Sequence, residues 1–289
     1  MGAAWQRREL VRSNRGDASW PQSESVQTAS WGATGVVLEQ FVETWLVTVD
    51  PPTIRRAPST CNTQPVPNRA VDDWLWVEAE RRWIGLARDG SIWQRQAGRL
   101  SRVSPAARGF APRLYRGSVW DPDRGRALYV GGYAIGTLAR MCSDTWQWAS
   151  KTGVTRIHTT GRAPRFMVSS ACWFEHGVVA VGVTPGSNRR LLTARLIADR
   201  WELMAERACD YTGQFAFAHR DCLFMLDTDQ ETLFRWDGRW RKTAKLGGLA
   251  GDHRLALWVD PVRSELWGYG RLGRRSTGLA WVNLDDLAS

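Results

Sequence analysis

YRGSVWDPDRGRALYVGG, residues 115–132, and SDTWQWASKTGVTRIHTT, residues 143–160, read as four short strands. Asp121-Pro122 and Arg124-Gly125 are turn chemistry, and they part a strand ending at Trp120 from a nearly continuous apolar run at 126–132. Asp and Pro favour the local bonds and fixed φ of a turn, and glycine supplies its left-handed position. A tryptophan strand, DTWQW at 144–148, follows, then VTRIH at 154–158. Four antiparallel strands joined by tight turns make one small sheet.

The pattern recurs, which is what the 18 tryptophans of this 289-residue chain encode. Trp45, Trp93, Trp146 and Phe234 stand at intervals of roughly 50 residues, the last after two periods, with LLTARL at 191–196 filling the gap and GLAWV at 278–282 following. Each is preceded by an apolar strand: GVVLEQF at 35–41, RWIGLA at 82–87, RALYVGG at 126–132, HGVVAVGV at 176–183, CLFMLD at 222–227 and ELWGYG at 265–270. A further strand and turn precede each of those. A fourth strand completes five copies, as in RWELMA at 200–205 and RWRKTA at 239–244, where Asp237-Gly238 suits a two-residue primed turn. The sixth copy lacks it, since the chain ends soon after GLAWV.

AAWQRREL at 3–10 supplies the missing element, for it reads like DRWELMAE at 199–206 and GRWRKTAK at 238–245. The expectation is an all-β, six-bladed β-propeller of four-stranded antiparallel blades, closed by the N-terminal strand pairing with the last blade. Radial repetition of this kind leaves only short, protected sheet edges. The boundaries are 3–11 for the closing strand and 25–58, 70–104, 113–159, 165–206, 211–245 and 252–285 for the blades of a single domain. Most tryptophans are expected to pack between blades. Trp20 and Trp74 are the two singled out for exposure and a stacking role.

Composition narrows the function classes. No window offers the roughly 18 apolar residues of a membrane helix, and no secretory signal opens the chain, so a soluble cytoplasmic protein with no membrane partner is expected. Five scattered cysteines without CxxC fit free thiols. The net charge of +10 invites a nucleic-acid partner. The cations are nonetheless spread along the chain beside acids, and only three of 39 are lysine, a skew that GC-rich coding produces, so nucleic acid is disfavoured. His158, His176, His219 and His253 fall on separate strands without a metal spacing, and no cofactor is expected. GYGRLG at 268–273 lies in a predicted connection between strands, without the helix a phosphate loop needs.

Residues 111–165 resemble the kelch repeat of the galactose oxidase-type propellers, in a Pro-Arg pair, an Asp-rich turn, the Gly131-Gly132 doublet and a tryptophan strand. That resemblance implies that the loops leading into the first strand of each blade form one rim around an axis. Pro67-Asn68-Arg69, Pro112-Arg113 and Pro164-Arg165 stand one repeat apart on that rim. In the kelch pattern such an arginine tethers blades through backbone carbonyls or a carboxylate; alternatively, Arg69, Arg113 and Arg165 together face an anionic ligand. Asp73, Tyr115, Tyr211 and Arg254 complete the expected ligand set.

The reading is a binding module whose partner is an acidic protein segment or a small anion. An enzyme on a carboxylated or sugar-like substrate is the alternative, an isomerase, epimerase or hydrolase with Tyr115, Asp210 and His253 as acid/base candidates. The six-bladed layout is similar to that of sialidases, but ARDGSIW at 87–93 is one residue too short for their Asp-box. A structural subunit of a larger assembly is the third reading.

Overall fold

The computed structural model describes residues 6–8, 11–12, 26–32, 35–40, 43–49, 52–56, 71–96, 99–114, 116–135, 140–163, 165–208, 214–246, 256–271 and 277–288. Among them the chain is all-β. Its helical content is a single turn at Glu78–Glu80 and another at Asp285–Ala288. Six sheets of antiparallel main strands follow one another, the first five with those strands in chain order. The first sheet is Val26–Gly32, Gly35–Gln40, Glu43–Val49 and Pro52–Arg56. The second is Val71–Val77, Arg82–Ala87, Ile92–Gln96 and Arg99–Ser104. Gly117–Asp121, Arg126–Val130, Thr145–Ala149 and Gly153–Ile157 form the third, and Met167–Phe174, Gly177–Val183, Arg190–Ile197 and Arg200–Ala208 the fourth. The fifth is Gln214–His219, Cys222–Asp227, Thr232–Trp236 and Trp240–Lys245. The sixth takes Ala256–Asp260, Glu265–Arg271 and Thr277–Asn283 from the C-terminal end and Gln6–Arg8 from the N-terminal end.

The last pairing places Gln6 opposite Trp281 and Arg8 opposite Leu279, antiparallel. It is the pairing expected of AAWQRREL; Trp5 itself lies outside the described residues.

The chain divides into two compact units. One holds the first, second and sixth sheets, whose first strands touch in the order sixth, first, second. The other holds the third, fourth and fifth, with first strands in contact in that order. Burial follows the strand's place in its sheet. The second strand of the fourth sheet is buried at every residue, GVVAVGV, as expected of a continuous apolar run covered on both faces. The fourth strands are largely exposed, as in Trp240–Lys245.

Neighbouring sheets of the second unit are tied by a repeated bond. Trp201, second in the fourth strand of the fourth sheet, donates its indole N–H to Thr145 Oγ1 in the third sheet at 3.1 Å. Trp240, first in the fourth strand of the fifth sheet, likewise donates to Thr193 Oγ1 in the fourth at 2.7 Å. A buried indole N–H needs such a partner, so tryptophan here supplies both packing area and direction.

Three features depart from the sequence expectations. Val11–Arg12 runs parallel to Pro52–Arg56, and Thr160–Gly161 parallel to Arg200–Ala208, so connecting segments cover the outer edges of two fourth strands. Arg113–Leu114, Tyr133–Ala134 and Arg140–Met141 form a small three-stranded sheet that the four-strand plan did not include. Residues 268–271 of GYGRLG continue the strand Glu265–Arg271 and are not a connection. No described helix is long and apolar enough to cross a membrane.

Candidate functional site

Arg113 begins the third sheet's leading segment and is 2% exposed. Its guanidinium donates from Nε to Ala111 O at 3.1 Å and from Nη1 to Gly131 O at 3.2 Å. It also grips Asp144 bidentately, at 2.6 Å to Oδ1 and 3.0 Å to Oδ2. The Phe110 ring lies under it, 4.5 Å from the guanidinium carbon, and meets Trp146 edge-on at 5.2 Å. Trp146 Nε1 donates to Asp144 Oδ2 at 2.7 Å. Burial opposes the charge on Asp144. The bonds from Arg113 and Trp146 and the Arg113 charge outweigh it, leaving the carboxyl below its ordinary value of 3.8.

Of the two roles open to Arg113, this geometry realises the structural one, through backbone carbonyls and a carboxylate that belong to the third sheet and its leading segment rather than to a neighbouring sheet. Its place in a ligand-binding trio is therefore corrected: a side chain with four internal bonds and almost no exposed surface does not meet a partner. Trp74 is corrected as well, since it is 3% exposed and packs with Trp83 and Trp93, out of reach of a stacking sugar or base.

Arg165 differs from Arg113. It is exposed and precedes the first strand of the fourth sheet. Arg189 is exposed and precedes that sheet's third strand. Met167 pairs with Val183 and Val183 with Leu191, so both arginines stand at the same strand ends. Arg140, also exposed, lies on the small sheet between Val130 and Thr145 at the corresponding ends of the third sheet. These ends of the two sheets lie together, for a Cβ on Gly131, just after Val130, would stand 3.0 Å from Val168 and 3.6 Å from Phe166 O. Among the described residues, Arg140, Arg165 and Arg189 form no ion pair, whereas the neighbouring Arg190 is held by Glu206 at 2.7 Å. Asp144, the acid closest in sequence to Arg140, is committed to Arg113. Sequence reasoning found Arg165 and missed Arg140 and Arg189, which carry no Pro-Arg signal and are recognised only once their strand ends are aligned.

Of the remaining expected residues, Arg69, Tyr115, Asp210, Tyr211, His253 and Arg254 lie outside the described residues, as does Trp20. Asp73 is placed by its backbone only, opposite Leu86 across an irregularity in the pairing. Desolvation pushes the Cys172 thiol up to about 12, which leaves it inert as a nucleophile. Among the described residues, no three His, Cys, Asp or Glu side chains gather as a metal site would require. The sequence matches no protein-family model, and no curated protein is significantly similar to it.

Proposed function

We propose that this chain is a diverged kelch-like β-propeller of six blades that acts as a binding module, holding an acidic segment of a partner protein along the strand ends that bear Arg140, Arg165 and Arg189. The six consecutive antiparallel sheets and the N-terminal strand added to the sixth support the propeller reading. The observation that carries the binding reading is three exposed arginines at one set of strand ends that form no ion pair among the described residues. Arginine's planar fork pairs bidentately with carboxylates, and several of them in one region attract an extended acidic chain at long range.

Fluorescence anisotropy of a labelled ten-residue glutamate-rich peptide tests it. The wild-type chain binds, affinity falls as salt rises because exposed charges are screened, and the triple variant R140E/R165E/R189E loses at least tenfold. Equal binding by the triple variant, with its melting temperature preserved, would refute the proposal.

A further inference from the structure

The small sheet of Arg113–Leu114, Tyr133–Ala134 and Arg140–Met141 has two faces of opposite character. Residues directly opposite across antiparallel strands project to the same face, and successive residues along a strand to alternate faces. Arg113 stands opposite Ala134. The Cys142 N–H donates to Gly132 O at 2.8 Å, which carries the pairing one step further and sets Cys142 on their side. Arg113, Ala134 and Cys142 are all buried, so this face looks inward.

The other face looks outward and is apolar. Leu114 stands opposite Tyr133, and Tyr133 opposite Met141, in one row across the three strands. The Ile135 N–H donates to Pro112 O at 2.9 Å, so the ladder continues by one pair and places Ile135 and Pro112 on the face of Tyr133. Leu114, Tyr133 and Met141 are partly buried, Pro112 is exposed, and Ile135 is 39% exposed, which few large hydrophobic side chains are among the described residues. Single apolar residues scattered on a surface are ordinary. Here they share one outward sheet face and include Tyr and Met, the composition of an interface core.

The charge beside this face selects its occupant. Arg140 adjoins Met141 on the edge strand, is exposed and forms no ion pair among the described residues. A second copy docked face to face would bring Arg140 toward its own symmetry mate, which opposes that contact. An acidic segment brings carboxylates to the arginine, but acids alone would leave the apolar face wet. A segment with an apolar side chain among its acids satisfies both.

We infer that the acidic segment held here carries a large aliphatic side chain, which docks on Ile135, Tyr133 and Met141 while neighbouring carboxylates pair with the arginines. The inference rests on the acidic-segment reading and specifies the partner that reading leaves open. Fluorescence anisotropy tests it with two labelled ten-residue peptides that have identical glutamates and either serine or leucine at one central position. Full burial of a leucine is worth roughly tenfold or more, and a shallow face realises part of that. The leucine peptide is therefore expected to bind the wild-type chain at least fivefold more tightly, with the preference kept at salt concentrations that weaken both peptides. Ile135→Ser should shrink the preference below twofold. If that variant melted early, the two peptides on the wild-type chain would still decide. Equal affinity for the two peptides, or an undiminished preference in Ile135→Ser, would overturn this inference alone. Binding of neither peptide would overturn the acidic-segment reading and this inference with it. A wild-type dimer in sedimentation that Ile135→Ser abolishes would show that a second copy covers the face, and would overturn the inference as well.

Discussion

The third and fourth sheets are led by the same two residues, Pro112-Arg113 and Pro164-Arg165, yet one arginine is buried and bonded while the other is exposed. The difference lies in the third strand. Thr145 and Thr193 accept the same tryptophan bond and mark equivalent positions. Counting from them, Asp144 and Trp146 of the third sheet correspond to Leu192 and Ala194 of the fourth. Without the carboxylate there is no counterion, and without the indole there is no second donor to hold one. A guanidinium is expensive to bury unpaired, so Arg165 stays in water. A motif residue is thus structural or available according to its partner on another strand.

Removing that partner has the largest expected effect. Asp144→Ala leaves Arg113 buried without a counterion and should cost about 3 kcal/mol in urea unfolding. A loss of less than about 1 kcal/mol would place the pair among weak surface bridges and erase the contrast. The pH dependence has a definite sign. Because the folded-state pKa of Asp144 lies below its ordinary value of 3.8, its contribution is complete at neutral pH. It is lost as pH falls below the ordinary value and through the lowered one, so Asp144→Asn should flatten that part of the acid unfolding profile.

Glycine substitutions sharpen the same comparison. Gly132 has φ +101°, and a Cβ there would stand 2.8 Å from Leu114 O, against the segment that carries Arg113. Gly186, in the loop that leads to the fourth sheet's third strand, has φ +102° but open space around it. Gly132→Ala should cost about 2 kcal/mol or more and Gly186→Ala about 1 kcal/mol, the second from backbone strain alone. Equal losses in thermal unfolding would mean that the tightly packed loop yields as readily as the open one.

Smaller still is Trp240→Phe, which keeps most of the packing but removes the bond to Thr193 and should lower stability by about 1 kcal/mol. Pairing it with Thr193→Val in a double-mutant cycle would separate the bond from the packing. Arg165→Ala is expected to change stability by no more than about 0.5 kcal/mol, since the side chain is exposed and forms no ion pair among the described residues. A clear loss would reveal a structural role for Arg165 like that of Arg113.

Much of the architecture was legible because strands announce themselves locally. Alternation, apolar runs and turn residues recur with the repeat, and the likeness of AAWQRREL to DRWELMAE located a strand that is distant in the chain from its partner at Thr277–Asn283. The small sheet at Arg113, Tyr133 and Arg140 was not legible, because two-residue strands leave no periodicity to read. Nor were the parallel segments at Val11–Arg12 and Thr160–Gly161, whose partners lie on the next sheet.

The sequence by itself determined the main strands of the six sheets, their order and the recurrence of one four-stranded plan, since these follow from side-chain pattern and turn chemistry over a few residues. Which arginines are exposed was decided by the tertiary structure, as was the gathering of Leu114, Tyr133, Ile135 and Met141 on one outward face. The physical reason is that charge burial and surface exposure depend on what stands opposite, across a strand or a sheet boundary. That neighbour is tens of residues away, and no local pattern names it.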